Sequence, residues 1–214
     1  KMGWDRDGLA DTPEKRDRYI KTLYTKANEK NRLINELTYY SGIDSNRIPY
    51  NFHRINLADF FQDCVEDVGL DLESKNIELN YSNLVDPSTR IIADPEQLKK
   101  VIDNIVGNSI KYMDKPKGVI NIRILDEVDS VRVEIEDNGK GISTKDLGKI
   151  FERFYRPDAS RNSSTGGSGI CLSIVKTIIE DHGGYIWATS KDDEGTCLHL
   201  VHRQYREAQE TAST

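Results

Sequence analysis

The chain has 214 residues, 36% of them hydrophobic, which is enough for one good-sized domain plus an appended helical segment. Its formal net charge of -6 excludes a general nucleic-acid binder, because no basic surplus is available to displace counterions. The three cysteines (Cys64, Cys171, Cys197) lie far apart with no C-x-x-C pair, and no apolar run approaches the roughly 18 residues of a membrane span, so a reducing, cytoplasmic setting without a structural zinc or membrane contact is expected.

In chain order, Thr12-Pro13-Glu14 is a helix start, with Thr12 as cap, Pro13 in the first turn and an acid at the positive end. Ile20, Leu23, Ala27, Ile34 and Leu37 then follow at three- and four-residue steps, a narrow seam of the helix-bundle kind running over 13–41. Ser41 to Arg54, with Gly42, Asn46, Pro49 and Asn51, reads as a linker, and the segments expected are 1–45 helical, 46–56 linker, 57–203 globular domain and 204–214 polar tail. Leu57 to Leu72 carries apolar residues at helical spacing. Ile77, Leu79 and Tyr81 alternate as a strand. Asp94-Pro95-Glu96 opens a second helix reaching about Met113. Val119–Leu125 and Val131–Ile135 are neighbouring antiparallel strands, a third helix spans Gly169–His182, and Tyr185–Thr189 and Thr196–His202 are the last two strands. Helices beside a mostly antiparallel sheet make a two-layer α/β sandwich.

Four stretches carry chemistry. Asn104, Asn108 and Lys111 share one polar face of the second helix, opposite its apolar face. Such a face is more often plain solvated surface; its functional alternative is an amide oxygen in a magnesium shell beside a phosphate-binding lysine. Glu136-Asp137-Asn138-Gly139-Lys140-Gly141 ends a strand on an acid and turns through two glycines. This is either an ordinary turn or a carboxylate placed to accept the exocyclic amine of adenine. Phe151-Glu152-Arg153-Phe154-Tyr155-Arg156 and the Ser/Asn/Thr/Gly-rich run after it suggest an anchored mobile lid, or simply aromatic core at a helix end. Gly166-Gly167-Ser168-Gly169-Ile170 opens the third helix, where free N–H groups can meet phosphate oxygens; it is not a Walker loop.

In this order the four stretches resemble the N, first-glycine, F and second-glycine boxes of sensor histidine kinases, with Glu194-Gly195-Thr196 similar to a reduced third glycine box. The resemblance spans about Tyr19 to Val201. It implies the Bergerat ATP-binding fold, a mixed, mostly antiparallel sheet with three helices on one face, here preceded by a long helix that resembles the second dimerisation helix. It further implies ATP or ADP and Mg²⁺ as ligands, with Asn108 on the metal and Asn104 and Lys111 by the phosphates. Tyr112 would lie near the nucleoside, Asp137 on adenine with Gly139 and Gly141 shaping its pocket, and Gly167, Gly169, Ile170 and Thr196 around the nucleotide. Phe151, Phe154, Tyr155 and Arg156 would anchor the lid. The implied partners are the dimerisation helices of an intact kinase and a response-regulator receiver domain, and the implied place is the cytoplasm, either free or as the cytoplasmic part of a membrane-anchored sensor.

Three departures qualify the resemblance. None of His53, His182, His199 and His202 lies in the family's acceptor pattern of His, acid, Leu-Arg-x-Pro, so the acceptor helix is expected to be absent and no residue here is expected to be the phosphorylated group. Cys171 and Asp193 stand where the family usually has glycine. A non-catalytic regulatory module, or another ATPase or kinase of the same superfamily, is therefore the alternative; intact Asn108, Lys111 and Asp137 oppose the first, and the 13–41 helix with the aromatic anchor opposes the second.

Overall fold

The computed structural model describes residues 12–24, 26–27, 30, 49–157 and 169–206. The chain divides into two units, Lys1–Ile48 and Pro49–Thr214. In the first, residues 13–24 are helical, and the backbone N–H of Lys15 donates to Thr12 Oγ1 at 3.3 Å, the expected cap. Ile20 and Leu23 of the seam are exposed; Ile34 and Leu37 lie outside the described residues. No described helix is long and apolar enough to cross a membrane.

The second unit runs β1 (His53–Asn56), α1 (Leu57–Ser74), β2 (Ile77–Asn83), β3 (Arg90–Ala93), α2 (Pro95–Lys111), β4 (Gly118–Glu127), β5 (Ser130–Asp137), a single-turn α3 (Thr144–Leu147), α4 (Cys171–Asp181), β6 (Tyr185–Lys191) and β7 (Gly195–Arg203). Five strands form one sheet in the order β2-β4-β5-β7-β6, antiparallel except for β2 against β4. That parallel pair needs a crossover, and α2 lies within it. The mixed, mostly antiparallel sheet with helices matches the expected class.

Alternation decides which face is covered. Ile120, Ile122 and Ile124 of β4, Val131, Val133 and Ile135 of β5, and Leu198 and Leu200 of β7 are buried. The helices contribute Phe61, Leu72, Val101, Ile105, Ile174 and Ile178 to the same core. The intervening residues of β5, including Arg132, Glu134 and Glu136, lie on the opposite face.

Three short elements, β1, β3 and α3, differ from expectation. Within the stretch read as a linker, His53–Asn56 form β1, paired antiparallel with β3. Four-residue strands bounded by Pro49, Asn51, Pro87 and Thr89 carry too short an alternation to be told from loop. The ribbon serves the helix starts. Asn56 Oδ1 accepts from Asp59 N to cap α1, and Asp94 Oδ1 accepts from the N–H groups of Glu96 and Gln97 to cap α2.

Asp94 also links α2 to α4, since its own N–H donates to His182 Nε2 at 3.0 Å. His182 Nδ1 lies 2.7 Å from Ile178 O, so the ring is neutral with its proton on Nδ1. Burial holds the His182 pKa below the usual histidine value, only partly offset by the Ile178 carbonyl, Asp94 and Asp181; burial likewise depresses His202. The unfolded chain therefore binds more protons than the folded one between the depressed values and about 6.5. Stability from this pair is full above about pH 6.5 and is lost as pH falls through the folded values, at up to about 1.4 kcal/mol per pH unit for each ring. Urea midpoints at about pH 7.5 and about pH 5.5 check the sign, and an equal or higher midpoint at the acid end contradicts it.

Candidate nucleotide site

Asp137 is the last residue of β5, and the chain turns away through Asn138 and Gly139. Its carboxylate is held from both sides: Ser109 Oγ of α2 donates to Oδ2 at 2.8 Å, and Gly139 N to Oδ1 at 3.0 Å. Burial raises its pKa above the ordinary aspartate value, while Ser109, Gly139 and the Thr196 backbone pull it back. A fixed acceptor, partly stripped of water, is suited to one directional hydrogen bond from a ligand.

Ser109 was not among the expected residues. Its signal was a hydroxyl in the row Val101, Ile102, Ile105, Val106, which is otherwise apolar and buried. A polar side chain there needs a partner, and Asp137 is that partner.

The glycine turn after Asp137 is tied to two other elements. Lys140 N donates to Tyr112 O at the end of α2, and Asp193 N in the β6–β7 turn donates to Lys140 O at 2.7 Å. Ser190 adds a clip, accepting from Ile142 N at 2.8 Å and donating to Gly195 O at 2.7 Å. Its hydroxyl also meets Thr196 Oγ1 at 2.9 Å, and Thr196 pairs with Asp137 across the sheet. These approaches leave no room for side chains. A Cβ on Gly139 would sit 2.8 Å from Tyr112 O, and one on Gly141 (φ +73°) 2.1 Å from Lys191 O. Asp193 itself has φ +63°, so the position where the family has glycine does adopt the left-handed conformation, which Asp tolerates better than most residues.

Asn104, Asn108 and Lys111 all lie half-buried on α2. Lys111 Nζ lies 4.9 Å from the Tyr112 ring centre at the helix C-terminus, where a cation is favourable. Among the described residues, no hydrogen bond engages the side-chain amide of Asn104 or Asn108.

The aromatic stretch after α3 is a series of turns. Phe151 is half-buried, whereas Phe154 is 57% exposed at φ +61°, so the simple core reading fails for Phe154. Its neighbouring residues Phe154 and Tyr155 are tied to two different elements. Tyr155 Oη donates to Asp146 Oδ1 at 2.5 Å, and Phe154 N donates to Gly169 O at 3.0 Å. Gly169 (φ +73°) lies so close to the Phe154–Tyr155 backbone that a Cβ would reach Tyr155 O at 2.8 Å. Arg156 is half-buried beside them. The third and fourth stretches thus meet, but Gly167 and the run 158–168 lie outside the described residues. Ile170 caps α4 with its side chain buried in the core, so only its backbone can face a ligand. Cys171 follows as the first, half-buried residue of α4.

The sequence profile of the family described as histidine kinase-, DNA gyrase B- and HSP90-like ATPase matches residues 93–206, just over half the chain. Sensor histidine kinase WalK of Bacillus subtilis (strain 168) is 31% identical over 196 residues, 90% of this chain and 31% of that protein. Sensor histidine kinase GacS of Pseudomonas protegens is 31% identical over 86% of this chain and 20% of its own length. The chain therefore spans less than a third of these relatives. Among solved structures, a nucleotide-free form of the catalytic domain of histidine kinase ThkA superposes with a TM-score of 0.61 at 27% identity, covering 72% of this chain and 97% of that one. The chain belongs to the histidine kinase-, DNA gyrase B- and HSP90-like ATPase family, in its sensor histidine kinase branch.

Proposed function

We propose that the chain binds Mg·ATP and presents its γ-phosphoryl group to a histidine on a dimerisation helix of an intact sensor kinase, for relay to an aspartate of a response regulator. The observation that carries this is the half-buried Asp137 carboxylate, held by Ser109 and Gly139 where α2, the glycine turn and the β6–β7 turn meet. Asp137 accepts from the adenine amine, with Gly139 and Gly141 shaping its pocket by letting the turn pack against the Tyr112 and Lys191 carbonyls. Lys111 and Asn104 meet phosphate oxygens, Tyr112 borders the nucleoside, and Gly167, Gly169, the Ile170 backbone and Thr196 complete the surround. Phe151, Phe154, Tyr155 and Arg156 anchor the segment that closes over it.

The donor set suits magnesium: Asn108 offers a neutral amide oxygen beside the phosphates, and Mg²⁺ accepts one such ligand while keeping waters. A bound ion would supply neutralisation of phosphate charge; in the transfer the bond from γ-phosphorus to the bridging oxygen breaks, a bond to imidazole nitrogen forms, and ADP leaves. The chain's own task is positioning.

Titrating ATP by calorimetry with and without magnesium tests the reading, with a dissociation constant between about 1 μM and 1 mM expected in its presence. Absence of binding at millimolar ATP overturns it in favour of a non-catalytic module. With labelled ATP alone, no acid-labile, base-stable phosphate is expected on the chain. His53 opens β1, His182 is buried with both nitrogens engaged, and His199 and His202 sit on β7. Stoichiometric label on any of them contradicts this.

Cys171 favours the rival module, because it adds a side chain in the first turn of α4, where backbone N–H groups would approach phosphates. Cys171→Gly is expected to tighten ATP several-fold, by about 1 kcal/mol or less, and to tighten it more than adenosine. Equal ATP affinities in the two proteins would mean that the thiol is inert filling.

A further inference from the structure

The face of the sheet opposite the helices carries a second constellation, with Cys197 buried and the Glu134 and His199 side chains only 12% and 13% exposed. Residues two apart on a strand point the same way, so Cys197 and His199 of β7 share a face. His199 is the cross-strand partner of Glu134 on β5, which brings a carboxylate alongside. Among the described residues, one ligand atom from each of Glu134, Cys197 and His199 can be chosen so that all lie within 4.8 Å of one another. His199 Nδ1 is 3.2 Å from Glu134 Oε1 and 4.0 Å from Cys197 Sγ. Zinc with bonds of about 2.0–2.3 Å sets tetrahedral edges of about 3.3 Å for N···O and about 3.6 Å for S···N. The first edge is in place, and the second needs a shift of a few tenths of an ångström. We propose that Glu134, Cys197 and His199 form a binding site for a borderline-soft divalent metal ion, Zn²⁺ by its ligand set, on the face of the sheet opposite the helices.

The surroundings are those of a supported ligand set. His199 Nε2 lies 2.9 Å from Thr189 Oγ1, a group that can accept the Nε2 proton and so direct the Nδ1 lone pair at the metal. The His199 ring is held flat against Trp187, with centroids 4.8 Å apart and planes inclined by 8°. Arg123 Nε holds Glu134 Oε2 at 3.0 Å, leaving Oε1 for the ion. Arg132 Nε, 3.4 Å from Oε1, is the competing cation, but its Nη1 is also 3.3 Å from Glu127 Oε1 and it can turn to that partner. Binding exchanges the Sγ–H bond of Cys197 for an Sγ–metal bond and passes the proton to solvent. The fourth position is left to water, so this is not a closed four-ligand structural site. The spacing Cys-x-His alone did not reveal the cluster, because its carboxylate comes from another strand.

The test uses the whole chain after chelation. Calorimetric titration with Zn²⁺ should saturate at one equivalent with a dissociation constant of about 10 μM or tighter. Co²⁺ in its place should give a thiolate-to-metal charge-transfer band, and Trp187 fluorescence, isolated by Trp4→Phe, should change along the same isotherm. Cys197→Ser should abolish the cobalt band and His199→Ala the high-affinity step, while Cys64→Ser and Cys171→Ser retain both. Arg132→Gln should tighten binding several-fold. A wild-type chain with no thiolate band and no saturable zinc uptake below about 100 μM overturns the proposal, as does a band that survives Cys197→Ser. Because the first result is read on the unmodified protein, misfolding of a variant cannot rescue the idea.

Discussion

Replacing Asp137 by Asn is expected to weaken ATP and adenosine alike by about 10- to 150-fold, the loss of a charge-assisted hydrogen bond worth roughly 1.5–3 kcal/mol. The substitution keeps shape and removes one acceptor. Ser109 and Gly139 already donate to the two carboxylate oxygens, so an amide must turn its NH₂ towards one of those donors. Equal losses for nucleoside and nucleotide locate the contact at the base; a loss for ATP alone would place Asp137 by the phosphates and refute its assignment. Ser109→Ala should reproduce part of the effect, because it releases the carboxylate without touching the ligand. The pH dependence has a definite sign. Burial raises the Asp137 pKa, and only the ionised form accepts from adenine. Affinity is full above the raised value and falls on acidification earlier than an ordinary aspartate near 3.9 would dictate. Asp137→Asn should flatten that limb of the profile.

The long elements were legible because their periods are long. α1, α2 and α4 each carry an apolar stripe of about three turns or more, and β4 and β5 alternate over seven or more residues. β1, β3 and α3 span four residues each, too short for any period to register. At the site, residue types that need a special backbone or a charge were visible: Asp137, Gly139, Gly141 and Lys111. What escaped was second-order support. Ser109, Ser190 and Asn138 have ordinary side chains whose meaning comes only from their partners; Asn138 Oδ1, for example, accepts from Val119 N at 2.8 Å and pins the start of β4. Long-range pairing of this kind leaves no local trace. The same holds for Glu134 beside His199, joined across 65 positions by the β5–β7 register.

Gly195→Ala is expected to lower stability by about 3 kcal/mol and the melting temperature by roughly 6–12 °C, and to weaken nucleotide in proportion to the displacement of Asp137. Gly195 begins β7 at φ +117°, a conformation L side chains rarely adopt. A Cβ there would lie 1.9 Å from Asp137 O and 2.9 Å from Asn138 Cα, both main-chain atoms that cannot swing aside. Relief therefore requires β7 to retreat from the end of β5 or Asp137 to move, and the Thr196–Asp137 pairing lies at that point. Gly148→Ala is the control: its φ is -69° and nothing lies within 4 Å of the added carbon, so a change within about 0.5 kcal/mol is expected. Thermal unfolding and adenosine titration on both variants separate the possibilities. A Gly195→Ala protein that melts with wild type would mean that the turn can relax away from Asp137. One that melts early yet binds adenosine normally would show that the strand end is held independently of this glycine, by Ser109 and the β4 pairing.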